Sequence, residues 1–385
     1  MRTTSLLSLL LIVMPACAED DPSDPAGPLT SEEAAPVVEN YVALVRANYS
    51  DALTSAEALR TAVSAFTASP SASTHEAAKQ AWLTARDPYG QTEAFRFYDG
   101  PIDNPENGPE GQINAWPMDE SYVDYVVDAP DGGIINDPSV EISKEMLASL
   151  NEVGGEENVA TGYHAIEFLL WGQDLSDAGA GERSFEDFVD GGMQPNPDRR
   201  RLYLDTTAEL LVDDLTAVHA AWEGMFSDEF VGFDPEMAIQ NMMRGIGALA
   251  GGELSEERMN VAYDTKLQED EHSCFSDNTH NDILNNFLGI KNVYLGQYGS
   301  VSGPGIHALV EARDPELAQE IEDHLAETET AIRAIPPPFD QAIQGSNSEP
   351  GRTAVANAVT SLRDLADLLV EAAALMDITL NTALE

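Results

Sequence analysis

Apolar residues recur at three- and four-residue spacing along most of this chain, and strict alternation is scarce. Val38, Tyr41, Val42, Val45 and Tyr49 form one such stripe, behind a Thr30-x-x-Glu33 capping box. Ser73 and Glu76 make a second box and predict a helix through Ala81 and Trp82. Residues 87–138 break the rhythm. Gly100-Pro101, Asn104-Pro105, Gly108-Pro109, Pro117, Pro130 and Gly132-Gly133 predict a long irregular segment. Such a loop in a compact domain usually works at a site or packs over one. Helical periodicity resumes at 139–152 and 158–172. The Gly-, Asp- and Pro-rich stretch from Gly179 to Arg199 marks a boundary. Beyond it, Arg199 to Met225 predicts a helix with Leu202, Leu210, Leu211, Leu215, Val218 and Trp222 on its apolar side. Further helices are expected at 235–250, 253–272 and 279–297. Another starts at Asp314-Pro315, and a last one spans 352–380 after the break at Pro336-Pro337-Pro338. The expectation is an all-α fold of two tandem helical bundles, residues 30–195 and 196–385, with a cleft between them.

Gly162-Tyr163-His164-Ala165-Ile166-Glu167-Phe168-Leu169-Leu170-Trp171 reads as a helix that is apolar almost all round, and so buried. His164 and Glu167 lie three apart and share a face, with Cβ atoms about 5–6 Å apart. Such a pair is costly to bury unless it is hydrogen-bonded or holds a metal. Imidazole and carboxylate are ordinary ligands for iron, zinc or copper. The order is the reverse of the Glu-x-x-His of carboxylate-bridged iron bundles. It is not a zincin motif either, because Ala165 stands where the base would be and Phe168 where the second His would be. These two residues alone leave a metal site and a structural pair equally open.

A second dense segment runs from Gln268 to Asp282 and holds His272, His280, Cys274 and several acids. Glu269 and His272 form another acid–His pair at i,i+3, and Asp277 to His280 reads as a helix start. Neither half completes a transition-metal site alone, so the cleft is the expected meeting place. Glu93, Glu269, Asp270, His272, Asp277 and His280 are the further candidate ligands beside His164 and Glu167. Glu93 and Arg96 are also spaced to pair along one turn, as a structural ion pair beneath the irregular segment. Trp116, in Asn114-Ala115-Trp116-Pro117, is expected to pack.

Charge narrows the partners. The chain carries 68 Asp plus Glu against 19 Lys plus Arg, a net charge of −49. Such a surface repels nucleic acid and anionic lipid headgroups, and attracts cations diffusely. No Gly-rich phosphate loop precedes a helix, and there is no Gly-x-Ser-x-Gly elbow. Arg2 followed by the apolar run Leu6 to Met14 is too short to span a bilayer and reads as a signal segment, residues 1–17. Met14-Pro15-Ala16-Cys17 resembles a lipobox, which would lipidate Cys17; an ordinary cleavage after Ala18 is the other reading. Residues 18–29 are acidic, Pro-rich and apolar-poor, as in a flexible tether. The expected location is the bacterial periplasm or cell surface, lipid-anchored. Cys274 would then be the one unmodified thiol, so no internal disulfide can form.

Taken together these segments resemble the imelysin-like family, in its iron-regulated protein A branch. That family is related to periplasmic iron-uptake lipoproteins of the EfeO type and to proteins called insulin-cleaving metallopeptidases. Its Gly-x-His-x-x-Glu hallmark stands here as Gly162, His164 and Glu167. The flanks 165–174, 92–97, 114–117 and 270–280 match as well, and the resemblance spans roughly 31–385. It implies two helical bundles related by pseudo-two-fold symmetry, with the His164/Glu167 helix lining the cleft. It also implies bacterial export and a link to iron. Three functions follow in order of expectation. The first is binding of iron, another metal such as zinc, or a metal chelate, in iron acquisition with iron-transport membrane components as partners. The second is a metallopeptidase, and the third a metal-free interaction module.

Overall fold

The first helix, Ser31–Ala68, begins where the sequence places it. Thr30 accepts from the Glu33 amide at 3.3 Å, and Glu33 accepts from the Thr30 amide at 2.9 Å, closing the capping box. Val38, Tyr41, Val42, Val45 and Tyr49 are all buried, and the stripe runs on through Ala52, Ala56, Leu59, Val63 and Phe66. The computed structural model describes residues 29–176 and 179–384. Cys17, the signal segment and most of the tether therefore lie outside the described residues.

The second helix, Ala72–Thr92, starts two residues earlier than expected. Ser71, not Ser73, caps it, with Thr74 at the third position closing the box. Ser71 is the first side chain after Pro70 that can accept from an orphan amide, so Ser73 is already inside the first turn. Pro88 does not end this helix, which runs four residues further. The irregular segment follows and carries only short helical turns such as Glu110–Asn114 and Glu120–Val123. Arginines fasten it. Arg199 donates to the carbonyls of Ile134, Ile135, Asp137 and Val140 at 2.7–2.9 Å. Arg200 and Arg183 close on the buried Asp124.

The helix Gly162–Trp171 is buried at every residue, as its all-round apolar character requires. It packs against the second helix and against Pro197–Glu223. The latter also lies along the first helix. Packing thus groups Pro197–Glu223 with the N-terminal elements, whereas the Gly- and Pro-rich stretch suggested a boundary near residue 195. Composition marks a loop there, but the apolar stripe behind it is buried by earlier helices. Leu202 departs from that stripe and is 49% exposed.

In the second half, Pro235–Ala248 does not break before the next element. It continues as a π-helical stretch, Leu249–Asn260, and then as Val261–Thr265. The chain leaves the helix at Lys266, so His272 sits on a loop instead of on the helix expected over 253–272. Thr279–Leu295 follows, then a two-residue hairpin pairing Gln297–Tyr298 with Val301–Ser302. Pro315–Arg333 and Pro350–Ala374 pack on each other, and the last also covers the π-helical stretch. Among the described residues no helix is long and apolar enough to cross a membrane.

Ser31–Ala68 touches Pro235–Ala248 and the hairpin, and Ala72–Thr92 crosses Thr279–Leu295. Gly289 allows that approach, since a Cβ there would overlap the Gln91 carbonyl oxygen. Gly289→Ala is therefore expected to cost roughly 1–3 kcal/mol through overpacking. Urea unfolding of the two proteins checks it, and an unchanged midpoint would refute the close crossing.

Candidate functional site

The site forms at that crossing, starting from the N-terminus of the Gly162–Trp171 helix. Gly162 has φ +81°, and a Cβ at this position would collide with the Ile113 carbonyl oxygen. Glycine is thus required for the chain to turn into the helix while lying against Glu110–Asn114. One turn in, His164 and Glu167 are fully buried and face each other, with Nδ1 2.9 Å from Oε2. The other Glu167 oxygen accepts from the Ser276 amide at 2.9 Å and the Ser276 hydroxyl at 2.6 Å.

The far side of the His164 ring meets His272 from the second half. Their Nε2 atoms are 3.3 Å apart, and the rings are nearly perpendicular. His272 Nδ1 lies 3.0 Å from Asp282, at the start of the Thr279–Leu295 helix. Asp282 also accepts from Ser273 Oγ at 2.5 Å, Asn278 at 3.1 Å and Arg86 at 3.2 Å. Arg86 projects from the second helix, donates to Asn114 Oδ1 at 2.6 Å, and lies over the Tyr163 ring at 5.0 Å. Trp116 covers the pair, with its ring centroid 4.9 Å from that of His164.

Charge states follow from burial and partners. Burial alone would raise the Asp282 carboxyl, but Arg86 and the His272 hydrogen bond outweigh it and hold it well below the usual carboxylate range. Burial, reinforced by Arg258, pulls His272 down to about 4. Burial and the neighbouring His272 likewise hold His164 well below its ordinary value. Glu167 is pushed up to about 8 by burial, against its bonds from Ser276. One arrangement then gives the three contacts along this chain a donor and an acceptor each. His272 Nδ1–H donates to Asp282, His164 Nε2–H donates to His272 Nε2, and the Glu167 acid O–H donates to His164 Nδ1. The His164/Glu167 contact is thus a neutral hydrogen bond, not an ion pair.

A second buried network adjoins the first. Glu93 accepts from Arg258 at 2.6 Å, from Arg96 at 2.7 Å and from Asn114 at 3.4 Å. Asn114 thereby links the Arg86 and Glu93 networks. Burial works to raise Glu93, but Arg258 and Arg96 outweigh it and bring the carboxyl down to about 2. Arg258 also holds Glu253 at 2.8 Å, five residues back. That spacing faces one side of a π-helix, whose hydrogen bonds run from i to i+5.

The expected ligands are therefore divided. His164, Glu167 and His272 come together. Glu93 is nearby but taken up by two guanidinium groups. Glu269 is exposed, so its expected pairing with His272 across a helical turn does not form on this loop. Asp270 is half-buried and accepts from Thr265 at 2.5 Å. Asp277 is pushed up to about 7 by burial and by Asp340 and Asp174. His280 is half-buried, its Nδ1 without a hydrogen-bond partner. Among the described residues no group of three or more His, Cys, Asp or Glu side chains is placed to hold a metal ion. Asp282, Arg86, Asn114, Ser276 and Arg258 are site residues that spacing did not reveal. Arg86 had a signal, because it falls on the apolar side of its helix between Trp82 and Tyr89. Trp116 packs as expected, but it packs on the site itself.

The family model described as Imelysin matches residues 45–369. Iron-regulated protein A of Synechococcus elongatus is 26% identical over 336 residues, covering 84% of this chain and 80% of that protein. A crystal structure of a putative iron-regulated protein A precursor from Parabacteroides distasonis superposes with a TM-score of 0.72 at 21% identity. It covers 92% of this chain and 98% of that one. An imelysin-like protein from Psychrobacter arcticum gives a TM-score of 0.66 at 12% identity, with the same coverage of both chains.

The Glu93 network gives a pH prediction. Its folded carboxyl lies below its unfolded value, so its stabilisation is complete above about pH 4.5 and is lost as pH falls toward 2. Glu93→Gln leaves two buried guanidiniums short of a charge and is expected to cost about 3 kcal/mol at pH 7. It is also expected to flatten the acid limb, as read by denaturant unfolding from pH 7 to 3. Equal acid sensitivity in both proteins would exclude this role.

Proposed function

Since this chain belongs to the imelysin family, we propose that it is an exported binding protein of bacterial iron acquisition, lipid-anchored through Cys17, whose cargo is a metal ion. His164 and His272 are the ligands. Glu167 and Asp282 hold the rings from behind, as carboxylates commonly do for metal-bound imidazoles. One observation carries the reading: the two Nε2 atoms converge at 3.3 Å. Two nitrogens at about 2.0–2.1 Å from one tetrahedral ion stand about 3.3–3.4 Å apart. Imidazole suits iron, zinc and copper alike, and the family relatives' iron-regulated names favour iron.

Two protein ligands leave the remaining coordination positions to water or an exchangeable ligand, which suits a carrier. A zinc peptidase ordinarily uses three protein ligands with a water. Uptake of the ion requires the shared Nε2–H of His164 to leave, so binding is expected to release a proton.

Metal content after exposure to Fe(II), Fe(III), Zn(II) and Cu(II) tests the proposal. The protein is expected to retain about one equivalent, and His164→Ala/His272→Ala to retain none while keeping its helix content. Glu167→Gln is expected to weaken binding about 10–100-fold. Trp116, whose ring lies 4.9 Å from that of His164, supplies a signal: Fe(II) or Cu(II) is expected to quench fluorescence in the native protein and much less in Trp116→Phe. A folded protein that retains no metal would leave the hydrogen-bonded pair as structure and favour the interaction module. Chelator-sensitive proteolysis would favour the peptidase instead.

A further inference from the structure

A cavity of about 410 Å³ leads from the surface to His272, whose ring forms part of its wall together with Trp116 and Asn114. Six carboxylates line it: Glu110, Glu152, Glu156, Glu253, Glu257 and Asp270. Two guanidinium groups, Arg96 and Arg258, oppose them. Both are already engaged. Arg96 lies 2.7 Å from Glu93 and 3.1 Å from Glu110, while Arg258 lies 2.6 Å from Glu93 and 2.8 Å from Glu253. Glu152, Glu156, Glu257 and Asp270 have no ion pair among the described residues. Glu152 is held in place by a backbone with φ +59° and by its amide bond to Asn158 at 2.8 Å. Burial, and after it the negative charge of Glu156, raise its carboxyl.

A concave wall of one sign focuses its field into the space it encloses and speeds the entry of the opposite sign. Any anionic metal chelate, such as a carboxylate or catecholate complex, would meet these four carboxylates before reaching His272. Resting on the metal-binding reading above, we propose that this cavity is a cation-selective vestibule, and that the cargo enters as a hydrated divalent transition-metal ion and not as an anionic chelate. The four unpaired carboxylates set the entry rate and the charge preference, while the imidazole pair holds the ion.

The test is stopped-flow Trp fluorescence on the whole protein, with anaerobic Fe(II) and Zn(II) salts and with ferric citrate as probes. The comparison is with E152Q/E156Q/E257Q/D270N, which changes three exposed acids and the half-buried Asp270 of the lining and none of the buried ion pairs; thermal unfolding confirms its fold. At low salt the variant is expected to take up Fe(II) and Zn(II) about tenfold or more slowly. The gap is expected to close at high salt, where the carboxylates are screened. Ferric citrate is expected not to compete in the native protein. Equal entry rates at low salt, or ferric citrate binding as tightly as the simple salts, would overturn the vestibule. His164→Ala/His272→Ala separates the two readings. Metal held by the native protein and lost in that double variant, with no effect of the four lining substitutions, defeats the vestibule alone. Metal held by neither protein defeats the imidazole site, and the vestibule with it.

Discussion

The site hangs on one carboxylate. Asp282 is buried, yet it gathers Arg86, His272, Ser273 and Asn278 around its two oxygens. Arg86 comes from the N-terminal helices and the others from the second half, so one charge both joins the halves and fixes the orientation of His272. Burying an ion is expensive, and the expense is met only when the lone pairs are filled and an opposite charge is close. Here four donor groups, one of them the Arg86 guanidinium, do this. With Asp282 ionised, His272 must carry its proton on Nδ1, and that choice propagates across the His164 ring to Glu167.

The second network repeats the logic with the signs reversed. Arg96 and Arg258 are buried cations sharing Glu93, Glu110 and Glu253. The π-helical stretch places Glu253 and Arg258 on one side of their helix, which a regular α-helix would not do at this spacing. Asn114 touches both networks, and Trp116, two residues on, lies over the imidazoles. The irregular segment is therefore part of the site wall. Its order comes from Arg199, Arg200 and Arg183, three of the few basic residues in a chain of net charge −49. Much of the scarce positive charge is thus spent inside the molecule, and acids are left to dominate the surface and the cavity.

Much of the fold was legible along the chain. The Thr30/Glu33 box, the 38–49 stripe and the buried character of 162–171 follow from local physics, namely orphan amides at helix starts and a 3.6-residue period. Departures arose where a local rule had a near-equal competitor. Ser71 outcompetes Ser73 as a cap, Pro88 is tolerated inside a helix, and the periodicity that predicts helix as far as His272 runs past Lys266, where the chain has already left it. Spacing puts Leu202 on the apolar side of its helix, yet no other element covers it and it stays exposed.

The sequence by itself determined that His164 and Glu167 share a buried face, because i,i+3 geometry is a property of one helix. It also determined the all-α class and the strong negative charge. Tertiary structure alone decided that the partner of His164 is His272, 108 residues away. It also decided that Asp282 and Arg86 hold that partner, and that Glu93 is committed to arginines. No periodicity encodes which loop crosses which helix. That is settled by the close approach at Gly289 and by the requirement that every buried charge find its counter-charge across the crossing.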